Sequence, residues 1–219
     1  MRIGYASFGT LRNIIWDVDG TLFDTYPAIA RAFRAALNDL GRDAPLERIT
    51  ELARDSLGRC ATTLAGESGL DLARLEAAFD RCYGSTTPGE QPPFPGVKAI
   101  CEHISRGGGQ NVIVTHRGPL GTAALLAAGN LTPYFSGSVT AADGFPRKPD
   151  PAAFNAIIER QGLERAATMA IGDREIDVQA GKAAGVVTCF FGAADAGVEA
   201  DLTISDFREL ARLLGVPDR

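Results

Sequence analysis

The sequence predicts an α/β fold in which a parallel sheet core is interrupted after its first strand by an all-helical insert. Short β-rich runs alternate with segments of helical spacing in the later part of the chain. Residues from about Asp24 to Gln91 show helical periodicity and no convincing strand. Between these territories lies Gln91-Pro92-Pro93-Phe94-Pro95-Gly96, a stiff stretch that reads as a boundary. Strands alternating with helices imply a Rossmann-like parallel sheet covered on both faces.

The elements follow in order. Asn13–Asp17 is the first strand; Met1–Arg12 precede it as a flexible tail, an extra edge strand or a misplaced start. Ile29, Phe33, Leu37 and Leu40 recur at helical spacing, with Pro27 suited to a first turn and Gly41 to a stop. A second helix is expected over Leu46–Leu57, with a break at Gly58. A third runs over Leu70–Tyr83, with Leu72, Leu75, Phe79 and Cys82 on one face. This divides the chain into a core, 1–23 and 93–219, and an insert, 24–92. In the core, Val97, Ile100, Cys101 and Ile104 form a helical stripe before the strand Asn111–Thr115, and Phe154, Ile157 and Ile158 form part of another. Further strands are expected at Thr168–Gly172, Val186–Phe191 and Asp201–Ile204, with a weaker one near Ser138–Thr140. The Gly107-Gly108-Gly109 run precedes a strand instead of opening a helix, so it reads as a turn and not a phosphate cradle.

Composition narrows the function. The 22 basic and 27 acidic residues give a net charge of −5, a balance that disfavours binding to nucleic acid. No apolar run is long enough for a membrane span, and no basic segment leads into an apolar one at the N-terminus, so a cytoplasmic location is expected. The four cysteines form no CxxC pair, which suggests neither a zinc site nor a disulfide framework.

Chemistry gathers where strands end. Asp17-Val18-Asp19-Gly20-Thr21 places two carboxylates at the end of a buried strand, a costly arrangement without a cation between them. Thr115 ends a second strand and is followed by His116 and Arg117. Lys148 stands just before a helix, and Gly172-Asp173 closes a third strand with Asp177 four residues beyond Asp173. In an open parallel sheet, ligands bind beyond the carboxyl ends of the strands, so these groups converge on one edge.

This order of residues resembles the haloacid dehalogenase-like superfamily over nearly the whole chain. Asp17–Thr21 is similar to its DxDGT motif, Thr115 and Lys148 to its second and third motifs, and Asp173 with Asp177 to the GDxxxD form of its fourth. The insert resembles the helical cap of the subfamily that includes phosphoglycolate phosphatases. The resemblance implies a Mg²⁺-dependent phosphatase acting on a small phosphorylated metabolite. It implies Asp17 as nucleophile and metal ligand, and Asp19 as acid and base with its backbone carbonyl on the metal. Asp173 becomes the second carboxylate ligand, and Asp177 a group that orients Lys148 or a metal-bound water. Thr115 and Lys148 would hold the phosphoryl oxygens, with Gly20 and Thr21 presenting N–H groups to phosphate. His116, Arg117 and the insert residues Arg54, Ser56 and Arg59 are candidate substrate contacts.

Absences discriminate among relatives. True dehalogenases lack the acid found here at Asp19. Phosphonate-cleaving relatives need a cap lysine, and all three lysines (Lys98, Lys148 and Lys182) lie outside the insert. Mutases of similar architecture carry a histidine soon after the first motif, whereas the histidines here are His103 and His116. A phosphosugar mutase and a non-catalytic binding relative stand as the alternatives. Substrate identity and oligomeric state are not readable from the chain.

Overall fold

The structure, a computed structural model, describes residues 10–194 and 196–217. The residues before Thr10, whose role the sequence leaves open, lie outside them. Among the described residues, one sheet has six strands: β1 (Asn13–Trp16), β2 (Asn111–Val114), β3 (Phe135–Val139), β4 (Thr168–Gly172), β5 (Val187–Phe191) and β6 (Leu202–Ile204). All pairings are parallel, in the order β3-β2-β1-β4-β5-β6. The chain's first strand is therefore central, and the winding reverses beside it. Such a reversal opens a crevice beyond the strands' carboxyl ends. Register fixes what faces it: Trp16 is level with Ile113 and Ile171, so Asp17, Thr115 and Asp173 emerge together.

Contacts separate the chain into two compact units, 1–23 with 93–219 and Asp24–Pro92. The second unit is helical: α1 (Tyr26–Asp39), α2 (Leu46–Asp55), α3 (Leu57–Ser68) and α4 (Leu72–Gly84). Ile29, Phe33, Leu37, Ile49, Leu64 and Leu75 are buried in its own core, and Phe33 stacks on Phe79 with ring centroids 3.9 Å apart. The expected break at Gly58 falls instead at Ser56. Ser56 is extended, and its hydroxyl accepts the Arg59 N–H at 3.1 Å, which starts α3. Gly58 lies inside that helix. A serine that can cap outweighed a glycine that only tolerates helix.

In the first unit, α5 (Val97–Arg106), α6 (Pro119–Ala128), α7 (Ala152–Gln161), α8 (Glu175–Ala183) and α9 (Phe207–Leu213) complete the fold. Strand alternation sends side chains to two cores. Ile14, Trp16, Ile113 and Ile171 pack with Val97 and Ile100 of α5 and Phe207 of α9. Ile15, Val112, Val114 and Ala170 pack with Phe154 and Ile157 of α7 and Ala180 of α8. Trp16 is fully buried, and its indole N–H donates to Asn111 Oδ1 at 3.0 Å. It is a packing residue.

Candidate active site

Asp17, Lys148 and Asp177 form the centre of the site. Lys148 Nζ lies 2.7 Å from Asp17 Oδ1 and 2.6 Å from Asp177 Oδ1, and these side chains are 1–2 % exposed. Two carboxylates thus share one ammonium in a place closed to water, with the Arg174 guanidinium 3.9 Å from the other oxygen of Asp177. Burial raises the Asp17 pKa to about 6 against the pull of Lys148, and the charge of Asp177 pushes the same way. Burial works against the Lys148 cation, but its two carboxylates prevail and hold its pKa above the ordinary amine value. Asp17 Oδ2 is buried and has no hydrogen-bond partner.

Asp177 is doubly engaged. One oxygen meets Lys148 and the other accepts the Arg174 backbone N–H at 3.1 Å. Arg174 is a site residue that sequence reasoning passed over; the only signal was its place between two acids of one turn. Gly172 makes this approach possible, because a Cβ there would fall on the Asp177 side chain. Asp173 is half-buried and accepts the Thr21 hydroxyl at 3.3 Å. Oxygen atoms of Asp17, Asp173 and Asp177 lie within 4.8 Å of one another. This oxygen-rich set, with a buried oxygen lacking a partner and a surplus of negative charge, fits a hard divalent cation such as Mg²⁺. Asp17, Asp173 and Asp177 are the carboxylates that could hold it, and both Asp177 oxygens already have protein partners.

The loop after β1 closes on itself. Gly20, at φ +76°, donates its N–H to Phe23 O at 2.9 Å, and Thr21 N–H faces Val18 O at 3.4 Å. These are the N–H groups the sequence assigned to phosphate. In the structure each of them faces a carbonyl of its own turn. Thr115 is buried, and its hydroxyl oxygen accepts the Arg117 N–H at 3.1 Å, so its own proton is left to donate. Lys148 has three donors, and the two carboxylates take two of them.

His116 and Arg117, read from sequence as substrate contacts, each have a protein partner. His116 Nε2 accepts the Lys148 backbone N–H at 3.0 Å. Burial, with Lys148, Arg147 and Arg174 nearby, lowers the His116 pKa to about 4. The Arg117 guanidinium forks onto Asp19, with Nε 3.1 Å from both carboxylate oxygens and Nη2 2.5 Å from Oδ1. In the helical unit, Arg59 pairs with Asp55 on an exposed face, while Arg54 lies 4.9 Å over the Tyr26 ring.

Comparison with known proteins shows the family. The family model described as haloacid dehalogenase-like hydrolase matches residues 14–191. The chain is 29 % identical over 225 residues to the phosphoglycolate phosphatase of Yersinia pestis, covering 97 % of each. It is 31 % identical over 183 residues to that of Nitrosospira multiformis, covering 80 % of each. The crystal structure of a predicted phosphoglycolate phosphatase from Haemophilus somnus 129PT shares the fold, with a TM-score of 0.81 at 21 % identity over 93 % of this chain and 98 % of that one. The chain belongs to the haloacid dehalogenase-like hydrolase family, as a phosphoric monoester hydrolase.

Proposed function

We propose that this enzyme is a Mg²⁺-dependent phosphatase of a small, soluble phosphate monoester, phosphoglycolate phosphatase-like, working through an aspartyl-phosphate on Asp17. The observation that carries this is the buried Asp17–Lys148–Asp177 triad, in which Asp17 keeps one oxygen without a partner beside Asp173. Asp17, Asp173 and the Asp19 carbonyl would hold Mg²⁺, which when bound would offset their negative charge and polarise the phosphoryl oxygens.

Asp17 attacks phosphorus, and the bond from phosphorus to the ester oxygen breaks. Asp19 gives the leaving oxygen its proton, then takes one from the water that cleaves the acyl phosphate, which restores Asp17 and releases phosphate. For this the Asp19 carboxyl turns out of the Arg117 fork, so that fork sets its resting position. Thr115 Oγ1 and the third proton of Lys148 hold the transferring phosphoryl oxygens as charge builds on them. Asp177 keeps the ammonium in place. Arg54, Ser56 or Arg59 of the helical unit is the proposed leaving-group contact; an unchanged substrate ranking in both Arg54→Ala and Arg59→Ala would remove it. Phosphate release from a panel of esters, with and without Mg²⁺, tests the reaction. Release that needs Mg²⁺ and disappears in Asp17→Asn supports it, and an isomer in place of free phosphate would favour a mutase.

A further inference from the structure

We infer that His116 is a positioning residue for Lys148: its ring nitrogen holds the main chain from which the amine that meets the phosphoryl group is projected. The inference deepens the phosphatase reading and rests on it for Lys148's role. Its own geometry is independent of that reading.

Lys148 sits in an irregular stretch, Phe145-Pro146-Arg147-Lys148-Pro149, that belongs to no helix or strand. Two of its residues are prolines and have no N–H to tie down. The Asp150 N–H to Arg147 O bond, at 3.1 Å, closes the turn but anchors it to nothing else. The bond from Lys148 N–H to His116 Nε2 does anchor it, joining the turn to the loop that leaves β2. The amine's grip on Asp17 and Asp177 secures the tip of the side chain, and His116 secures its root. A long flexible stem held at both ends presents its remaining proton in one direction. Held only at the tip, it can pivot, and a misplacement of about 1 Å can cost about 100-fold in rate.

The environment suits this role. An imidazole accepts at Nε2 only when neutral and protonated at Nδ1. His116 is half-buried among cations, and its lowered pKa keeps the ring neutral at ordinary pH. Thr115, His116, Thr140, Phe145 and Lys148 line a cavity of about 90 Å³, so a turn released from the ring has room to shift. Because Nε2 is engaged, His116 acts on the reaction through Lys148.

The test compares His116→Leu, which removes the acceptor, with His116→Gln, which keeps one, in the wild type and in Lys148→Met. The expected result for His116→Leu is a fall in kcat of roughly 10- to 100-fold with little change in KM. Gln should restore most of the loss, and in Lys148→Met the Leu change should add less than about 2-fold, as expected for residues acting as one unit. A rise in KM at unchanged kcat, or a full loss added on top of Lys148→Met, would instead make His116 a substrate contact and overturn the proposal. NMR of ¹⁵N-histidine protein gives a readout that needs no turnover, since His103 and His116 are the only histidines. The expected signal is an Nδ1-protonated His116 with a coupling from Nε2 to the Lys148 amide nitrogen. An Nε2-protonated ring overturns the inference even if the enzyme proves inactive on every ester. That inactivity with the coupling intact would count against the phosphatase reading alone.

Discussion

Removing Lys148 and removing Asp17 have opposite consequences for folding, although the first lowers activity and the second abolishes it. Lys148→Met leaves Asp17 and Asp177 buried with no cation between them. Breaking such a buried pair costs about 3–5 kcal/mol, so the urea midpoint of metal-free protein should fall clearly. Asp17→Asn removes one buried carboxylate and leaves one lysine with one carboxylate. Its metal-free stability should match or exceed the wild type while phosphate release vanishes. A large loss of stability in Asp17→Asn would contradict this charge balance. His116 gives a pH prediction. Its pKa in the fold is lowered from 6.5 to about 4, so its contribution is full above 6.5 and is lost as pH falls through about 4. Between those values the unfolded chain takes up a proton that the native ring refuses. The wild type should therefore lose stability relative to His116→Gln across that window. An NMR midpoint near 6.5 for His116 would refute the prediction.

Among elements, the β4–α8 turn concentrates the constraints. Strand β4 ends at Gly172, Asp173 follows as a proposed cation ligand, and Asp177 in the first turn of α8 reaches back to Lys148. Gly172→Ala forces Asp177 away, so kcat should fall at least about 10-fold with β4 and α8 intact by circular dichroism. In the helical unit, Ser56→Ala should cost about 1 kcal/mol through loss of the α3 cap. Gly58→Ala should be neutral or stabilise by about 0.5 kcal/mol, because Gly58 is inside the helix with open space around it. The opposite order would return the break to Gly58.

These elements show what the sequence could and could not disclose. The spans of β1, β2 and β4 were legible because continuous apolar runs ending in polar residues have few other readings. Edge strand β3 was placed late, at Ser138–Thr140 instead of Phe135–Val139, because Ser136, Gly137 and Ser138 give a weak strand signal. Asp17, Asp19, Thr115, Lys148, Asp173 and Asp177 are candidates because each stands near a strand end or shortly before or within the first turn of a helix. The Arg117–Asp19 fork and the His116–Lys148 bond were hidden, since their partners are 98 and 32 residues apart and nothing local signals them.

For the whole molecule, the chain divides into two compact units, one built on the parallel sheet and one helical, with separate apolar cores. No helix among the described residues is long and apolar enough to cross a membrane. The net charge of −5 says little about the site, where Lys148, with Arg174 beside Asp177, offsets the buried carboxylates. A divalent ion that binds the folded state should stabilise it by mass action, about 2.7 kcal/mol at one hundred times its Kd. That gain should shrink in Asp173→Asn, which removes a proposed ligand but leaves the triad; an unchanged gain would place the ion elsewhere. The most direct test of the central claim is the mass of Asp17 in Mg²⁺-loaded enzyme quenched during turnover of a phosphate monoester. A phosphoryl group carried on Asp17, absent without Mg²⁺ and absent in Asp17→Asn, is the expected result. Sustained phosphate release by Asp17→Asn at the wild-type rate, with no phosphoryl group on Asp17, would contradict it.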